Sequence, residues 1–161
     1  RAIEASVVVS CSLFLIVVAA GIFSNFVVQT RLPEALLGGA QSIGLPPFAV
    51  MSLIVASYIV MGCFLEGLGM VLITVPVFLP IVTGLGYDPI WFGVLVTVLV
   101  ELGLITPPVG MNLFIIKAQV PGLSLSSLYR GIVPFLIAPT IVVIVLFALP
   151  QIALWLPAVL Y

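Results

Sequence analysis

A carboxylate set among glycines and a proline pair inside an apolar run are the two places where this sequence could do chemistry. The prolines occur in Thr106-Pro107-Pro108-Val109-Gly110, within a run from Ile90 to Ile116 that would otherwise read as one membrane helix. Two adjacent prolines remove two backbone donors and block the helical turn before them. Gly103 and Gly110 flank the break with residues that tolerate unusual dihedrals. In hydrocarbon, the freed carbonyls and amides cost several kcal/mol each unless protein, water or an ion takes them up. Broken membrane helices serve transporters as binding sites, with exposed carbonyls on cations and helix N-termini facing anions. Thr106 and Asn112 bring neutral oxygens to the break, suited to a hard monovalent cation.

Glu66 is flanked by Gly62, Gly67 and Gly69 in the middle of another apolar stretch, and a carboxylate there is not left facing lipid. It has either a functional role or a structural one at a helix terminus. Glu101 lies five residues before Thr106, about 7.5 Å along a helix axis. It either binds an ion indirectly or satisfies amides of a neighbouring hairpin. Gly62, Gly67 and Gly110 either belong to a site or only permit close helix packing. Lys117 and Arg130 read as topology determinants, and Met111 and the aromatics as ordinary packing.

The composition demands a membrane setting. Of 161 residues, 64% are hydrophobic and only 6% charged, and the mean hydropathy is +1.51. A soluble domain of this size needs more surface charge. A net charge of −1 gives no reason to expect nucleic acid as a partner. Histidine is absent, which removes the commonest metal ligand and general base. Cys11 and Cys63 form no metal-ligand pattern and read as buried free thiols. The chain begins at Arg1 with no signal-peptide layout, so it is expected to be trimmed or a piece of something longer.

These residues must be positioned by apolar helices. Residues 1–47 read as a first span, Ala5 to Val28, and an interfacial connector from Gln29 to Pro47 with a short amphipathic helix near Leu32 to Leu37. Residues 48–85 are either two full spans or a re-entrant hairpin with Glu66 at its tip, and the glycines and prolines favour the hairpin. Gly84 to Pro89 reads as an exposed turn. Residues 86–120 hold the broken helix, with Trp91 and Phe92 at one interface and Lys117 near the other. In residues 121–161, Pro121 to Arg130 reads as a polar loop and Gly131 to Pro157 as the last span. That span has expected kinks at Pro134, Pro139 and Pro150, and an aromatic anchor in Trp155 and Tyr161. Arg1, Lys117 and Arg130 then share one side, with Arg31 on the other. Positive-inside places the trio in the cytoplasm and the C-terminus outside.

Four ordered blocks carry a family resemblance: Gly62-Cys63-Phe64-Leu65-Glu66, Val75-Pro76-Val77-Phe78-Leu79-Pro80, Gly86-Tyr87-Asp88-Pro89-Ile90-Trp91-Phe92-Gly93, and Glu101 through Asn112 across the proline pair. Together with Leu149 to Pro157 they resemble the C-terminal half of the large membrane subunit of TRAP (tripartite ATP-independent periplasmic) transporters. The resemblance implies an all-α polytopic fold of the ion-transporter superfamily, with two inverted repeats working as an elevator, of which this chain is similar to the second. It implies Na+ as coupling ion, with cation-binding candidates Gly62, Glu66, Gly67, Thr106, Pro107, Gly110 and Asn112. The sodium site is expected at Thr106, Gly110 and Gly62, and Glu101 is a coupling or structural acid. The implied partners are a small membrane subunit, a periplasmic solute-binding protein, the N-terminal half of the large subunit, an organic-acid substrate and the lipid of a bacterial or archaeal inner membrane. The tip acid is often aspartate in the family, and Glu66 reaches about one methylene further.

Other classes fit less well. A channel or small membrane scaffold needs neither a break nor buried acids. An intramembrane enzyme lacks its usual constellations, since there is no histidine, no aspartate pair on neighbouring helices and no nucleophile-like serine motif. An anion symporter of the same superfamily that works without a binding protein is the main alternative.

Overall fold

The computed structural model describes residues 2–120 and 122–160, with the backbone alone at residues 2 and 5. Among these residues there are eight helices and no strand. They are α1 (Ala2–Thr30), α2 (Leu32–Ser42), α3 (Pro47–Gly62), α4 (Gly67–Gly84), α5 (Pro89–Ile105), α6 (Met111–Gln119), α7 (Leu125–Ala148) and α8 (Gln151–Leu160). Ser6–Thr30, Gly67–Gly84 and Leu125–Ala148 are long and apolar enough to cross a membrane, and α3, α5 and α8 are shorter apolar helices. The expectations for Arg1, Pro121 and Tyr161 lie outside the described residues.

Local chemistry sets most boundaries. Arg31 adopts the left-handed conformation (φ 51°) between α1 and α2, and Pro33 stands in the first turn of α2. Pro47 and Pro89 open α3 and α5 at positions where a missing N–H costs nothing. Before Pro89, the Asp88 carboxylate accepts the Ile90 and Trp91 amides at 2.7 and 3.3 Å, an N-cap. Two boundaries differ from expectation. The connector helix extends through Gly38 and Gly39 to Ser42. The serine-rich stretch is a helix start rather than a loop as far as Arg130, because Ser124 caps α7 by accepting the Ser127 amide at 3.1 Å. From there α7 runs without interruption through Pro134 and Pro139 and stops at Leu149-Pro150.

Polar side chains inside the apolar helices turn back on their own backbone. Ser12, Asn25, Ser52, Thr83, Thr97 and Thr140 each donate to the carbonyl four residues earlier. In hydrocarbon this keeps a hydroxyl or amide from going unmet.

The core is organised around α5, which packs against α3, α4 and α7. Tyr58 of α3 bonds Thr74 of α4 at 2.7 Å and lies 5.5 Å from the Phe78 ring, so α3 and α4 run antiparallel. Trp91 and Phe92 are 1% exposed and belong to this core. The reason lies 55 residues away: the Trp91 indole N–H donates to the Leu146 carbonyl at 2.7 Å. Pro150, four residues beyond Leu146, has no amide to give that carbonyl. Outside the core, α1 packs on α2 and α4 and leaves large apolar side chains such as Phe14 and Leu15 uncovered.

Candidate functional site

The backbone leaves helical geometry at Thr106 (φ −83°, ψ 130°) and re-enters it at Gly110, whose φ of 62° is left-handed. A side chain at Gly110 would meet Leu113 Cδ1 at 3.0 Å and the Thr106 carbonyl oxygen at 3.3 Å, so conformation and space both call for glycine. The Thr106 amide shifts to the Gly103 carbonyl at 3.0 Å, and its hydroxyl donates to the Leu102 carbonyl at 2.5 Å. The hydroxyl thus takes over the carbonyl that the amide has left. Because its one hydrogen is committed backward, the Thr106 oxygen offers only lone pairs to anything else.

The proline carbonyls are also engaged. The Pro108 carbonyl accepts from the Tyr129 hydroxyl, and the Pro107 carbonyl lies 3.6 Å from the Cys63 sulfur, whose one hydrogen also faces the Ile59 carbonyl at the shorter distance of 3.2 Å. Pro107 and Pro108 are joined by a cis peptide bond. Neither Cys63 nor Tyr129 is a site candidate on sequence grounds; a thiol and a phenol 44 and 21 residues from their acceptors carry no local signal.

The turn between α3 and α4, residues 63–66, lies beside this break. A Cβ on Gly62 would stand 2.8 Å from Gly103 Cα, and one on Gly103 would stand 2.6 Å from Gly62 Cα. The two backbones are therefore in direct contact. Small residues allow that approach, and in lipid such packing is a main source of helix association. Glu66 caps α4: its Oε1 accepts the Leu68 amide at 2.8 Å and its Oε2 the Gly69 amide at 2.9 Å. A carboxylate here also complements the positive end of α4.

The residues expected to act together fall into two neighbouring groups. Thr106, Pro107, Gly110 and, through Gly103, Gly62 form the break and its seam with α3. Glu66, Gly67, Glu101 and Asn112 line a groove of about 490 Å³ with Thr97 and Met111. Gly67 faces α5 there, where a Cβ would meet Val100 Cγ1 at 3.0 Å. Both glutamates are exposed in the chain taken alone, so their surroundings in a membrane must be water, protein or an ion rather than lipid. Among the described residues, no three His, Cys, Asp or Glu side chains converge as metal ligands. Any cation held at the break would meet carbonyl and hydroxyl oxygens instead.

Fold and site together define a polytopic helical membrane protein whose central helix is interrupted against the turn of a helical hairpin. The chain belongs to the family described as tripartite ATP-independent periplasmic transporter, DctM component, which it matches over residues 1–152. It is 33% identical over 145 residues to the C4-dicarboxylate TRAP transporter large permease protein DctM of Pseudomonas aeruginosa, covering 90% of this chain and 34% of that protein. It is 32% identical over 143 residues to the sialic acid TRAP transporter large permease protein SiaM of Vibrio cholerae, covering 89% and 33%. A third relative is the ectoine/5-hydroxyectoine TRAP transporter large permease protein UehC of Ruegeria pomeroyi, 30% identical over 148 residues, covering 92% and 34%. The chain thus spans about a third of the length of these relatives, all named as transporter permeases rather than enzymes.

Proposed function

We propose that this chain forms the second repeat of the large membrane subunit of a sodium-coupled TRAP transporter that takes up an organic acid across a bacterial or archaeal inner membrane. The observation that carries the reading is the interrupted α5–α6 helix, packed backbone to backbone on the α3–α4 hairpin, in a chain of this family. At the break, Na+ would be held by the Thr106 oxygen and neighbouring carbonyls, which suits an ion of single charge. Glu66 and Glu101 supply negative potential from the adjoining groove. The hairpin and the broken helix move together as one elevator body, an assignment supported by the Gly62–Gly103 contact, which leaves no room for sliding. The N-terminal half of the subunit, a small membrane subunit and a periplasmic solute-binding protein complete the machine. The substrate is a carboxylate, as the names of the C4-dicarboxylate and sialic acid relatives suggest.

The test is uptake of carboxylates into proteoliposomes holding every membrane subunit, with and without the binding protein, under an inward sodium gradient. Uptake should need both sodium and the binding protein. Equal uptake when potassium replaces sodium would overturn the coupling, and uptake without the binding protein would point to a simple symporter.

A further inference from the structure

The Pro108 carbonyl at the break is held by a side chain from another element, the Tyr129 hydroxyl in the second turn of α7, while the Cys63 thiol near the Pro107 carbonyl shares its one hydrogen with the Ile59 carbonyl. Each carbonyl belongs to a planar peptide unit, so a donor that fixes the oxygen fixes the whole plane. The plane between Pro108 and Val109 is thereby set from outside the broken helix. Backbone donors within the pair are missing, because neither proline has an N–H.

We propose that Tyr129 is a positioning residue for the break. Its hydroxyl holds the Pro108 carbonyl and so fixes the course of the chain into Gly110. Tyr129 also closes the segment 108–129 into a loop, returning the start of α7 to the point where α6 departs. The proposal rests on the break being the cation site, and it adds that α7 sets the geometry of that site without touching the ion.

The experiment uses the complete transporter in proteoliposomes and compares Tyr129→Phe, Cys63→Ala, Cys63→Ser and Thr106→Val. It reads the half-saturating sodium concentration of uptake and, separately, the hydrogen exchange of the 109–113 amides. Tyr129→Phe removes only the hydroxyl. It should raise half-saturating sodium roughly three- to tenfold, the weight of one such hydrogen bond, and speed exchange at 109–113. Cys63→Ala and Cys63→Ser, whose sulfur faces the Ile59 carbonyl more closely than that of Pro107, are the controls and should shift both readouts less than Tyr129→Phe. Unchanged exchange in Tyr129→Phe overturns the proposal. So does unchanged sodium dependence in Tyr129→Phe where Thr106→Val is shifted, and in that case the cation reading stands. If neither Thr106→Val nor Tyr129→Phe moves sodium dependence while Tyr129→Phe still speeds exchange, the cation reading fails and Tyr129 keeps only its hold on the backbone. Should Tyr129→Phe fail to accumulate, Tyr129→Leu, which also lacks the hydroxyl, carries the same readouts.

Discussion

At the scale of single residues, Thr106 has two jobs that one substitution cannot separate. Its hydroxyl donates to Leu102 and offers its lone pairs at the break. Thr106→Val keeps the shape but leaves the Leu102 carbonyl unmet, a cost of about 1–3 kcal/mol. Thr106→Ser keeps both jobs. Sodium-dependent uptake should therefore follow the series threonine, serine, valine, with half-saturating sodium near wild type for serine and raised about tenfold or more for valine. An unchanged value in Thr106→Val at equal protein level would show that the hydroxyl is not a ligand. Glu66 poses the converse problem, because its two oxygens already cap α4. Glu66→Ser retains a capping oxygen and discards the charge, whereas Glu66→Gln retains size and loses one acceptor. Both should cut sodium-driven uptake far more than they lower protein abundance. Near-normal uptake by the serine variant would reduce Glu66 to a cap.

At the scale of elements, the seam between α3 and α5 is the contact on which hairpin and broken helix depend. The atoms that a Cβ on Gly62 or Gly103 would strike are backbone atoms, which no rotamer change can clear. Gly62→Ala and Gly103→Ala should each lower the melting temperature of the purified transporter by several degrees and displace the hairpin turn from Pro107. Gly93→Ala, with open space around its site, is the matched control and should change little. Wild-type melting in Gly62→Ala would mean that the two helices part more easily than their contact suggests. Replacing both Pro107 and Pro108 by alanine should let α5 and α6 join, recapture the carbonyls and abolish sodium coupling; normal transport by that variant would remove the break from the ion site. These two interruptions, at the hairpin turn and at the proline pair, were legible in the sequence because glycine and proline act locally. The partner of the break was not, since Tyr129 reaches it through tertiary contact. The burial of Trp91 was hidden for the same reason, since it serves a distant carbonyl that Pro150 leaves unmatched. Ser124 misled through composition, because serines that read as a loop form an N-cap and first turn.

At the scale of the molecule, the contacts order the charged residues along the bundle. The α2 side chain Leu37 sits against Gly84 at the C-terminal end of α4, while Glu66 marks the other end of that helix. Arg31, at the start of α2, therefore lies at the end remote from Glu66 and the break. Arg130 adjoins Tyr129, whose bond to Pro108 sets it level with the break. The α7 helix has 24 residues, roughly 36 Å of rise, and Tyr129 is only about 6 Å along it. The break thus lies near one end of α7 instead of at its middle, on the side of Lys117 and Arg130. The positive-inside rule predicts that side to be cytoplasmic. The arrangement is checked with single cysteines at positions 125 and 159, in a background carrying Cys11→Ser and Cys63→Ser, the second chosen because serine keeps a donor for the Ile59 carbonyl. A membrane-impermeant maleimide added to intact cells should label position 159, and position 125 only after the membrane is opened. Labelling of 125 but not 159 from outside would invert the molecule and move the break to the outer face.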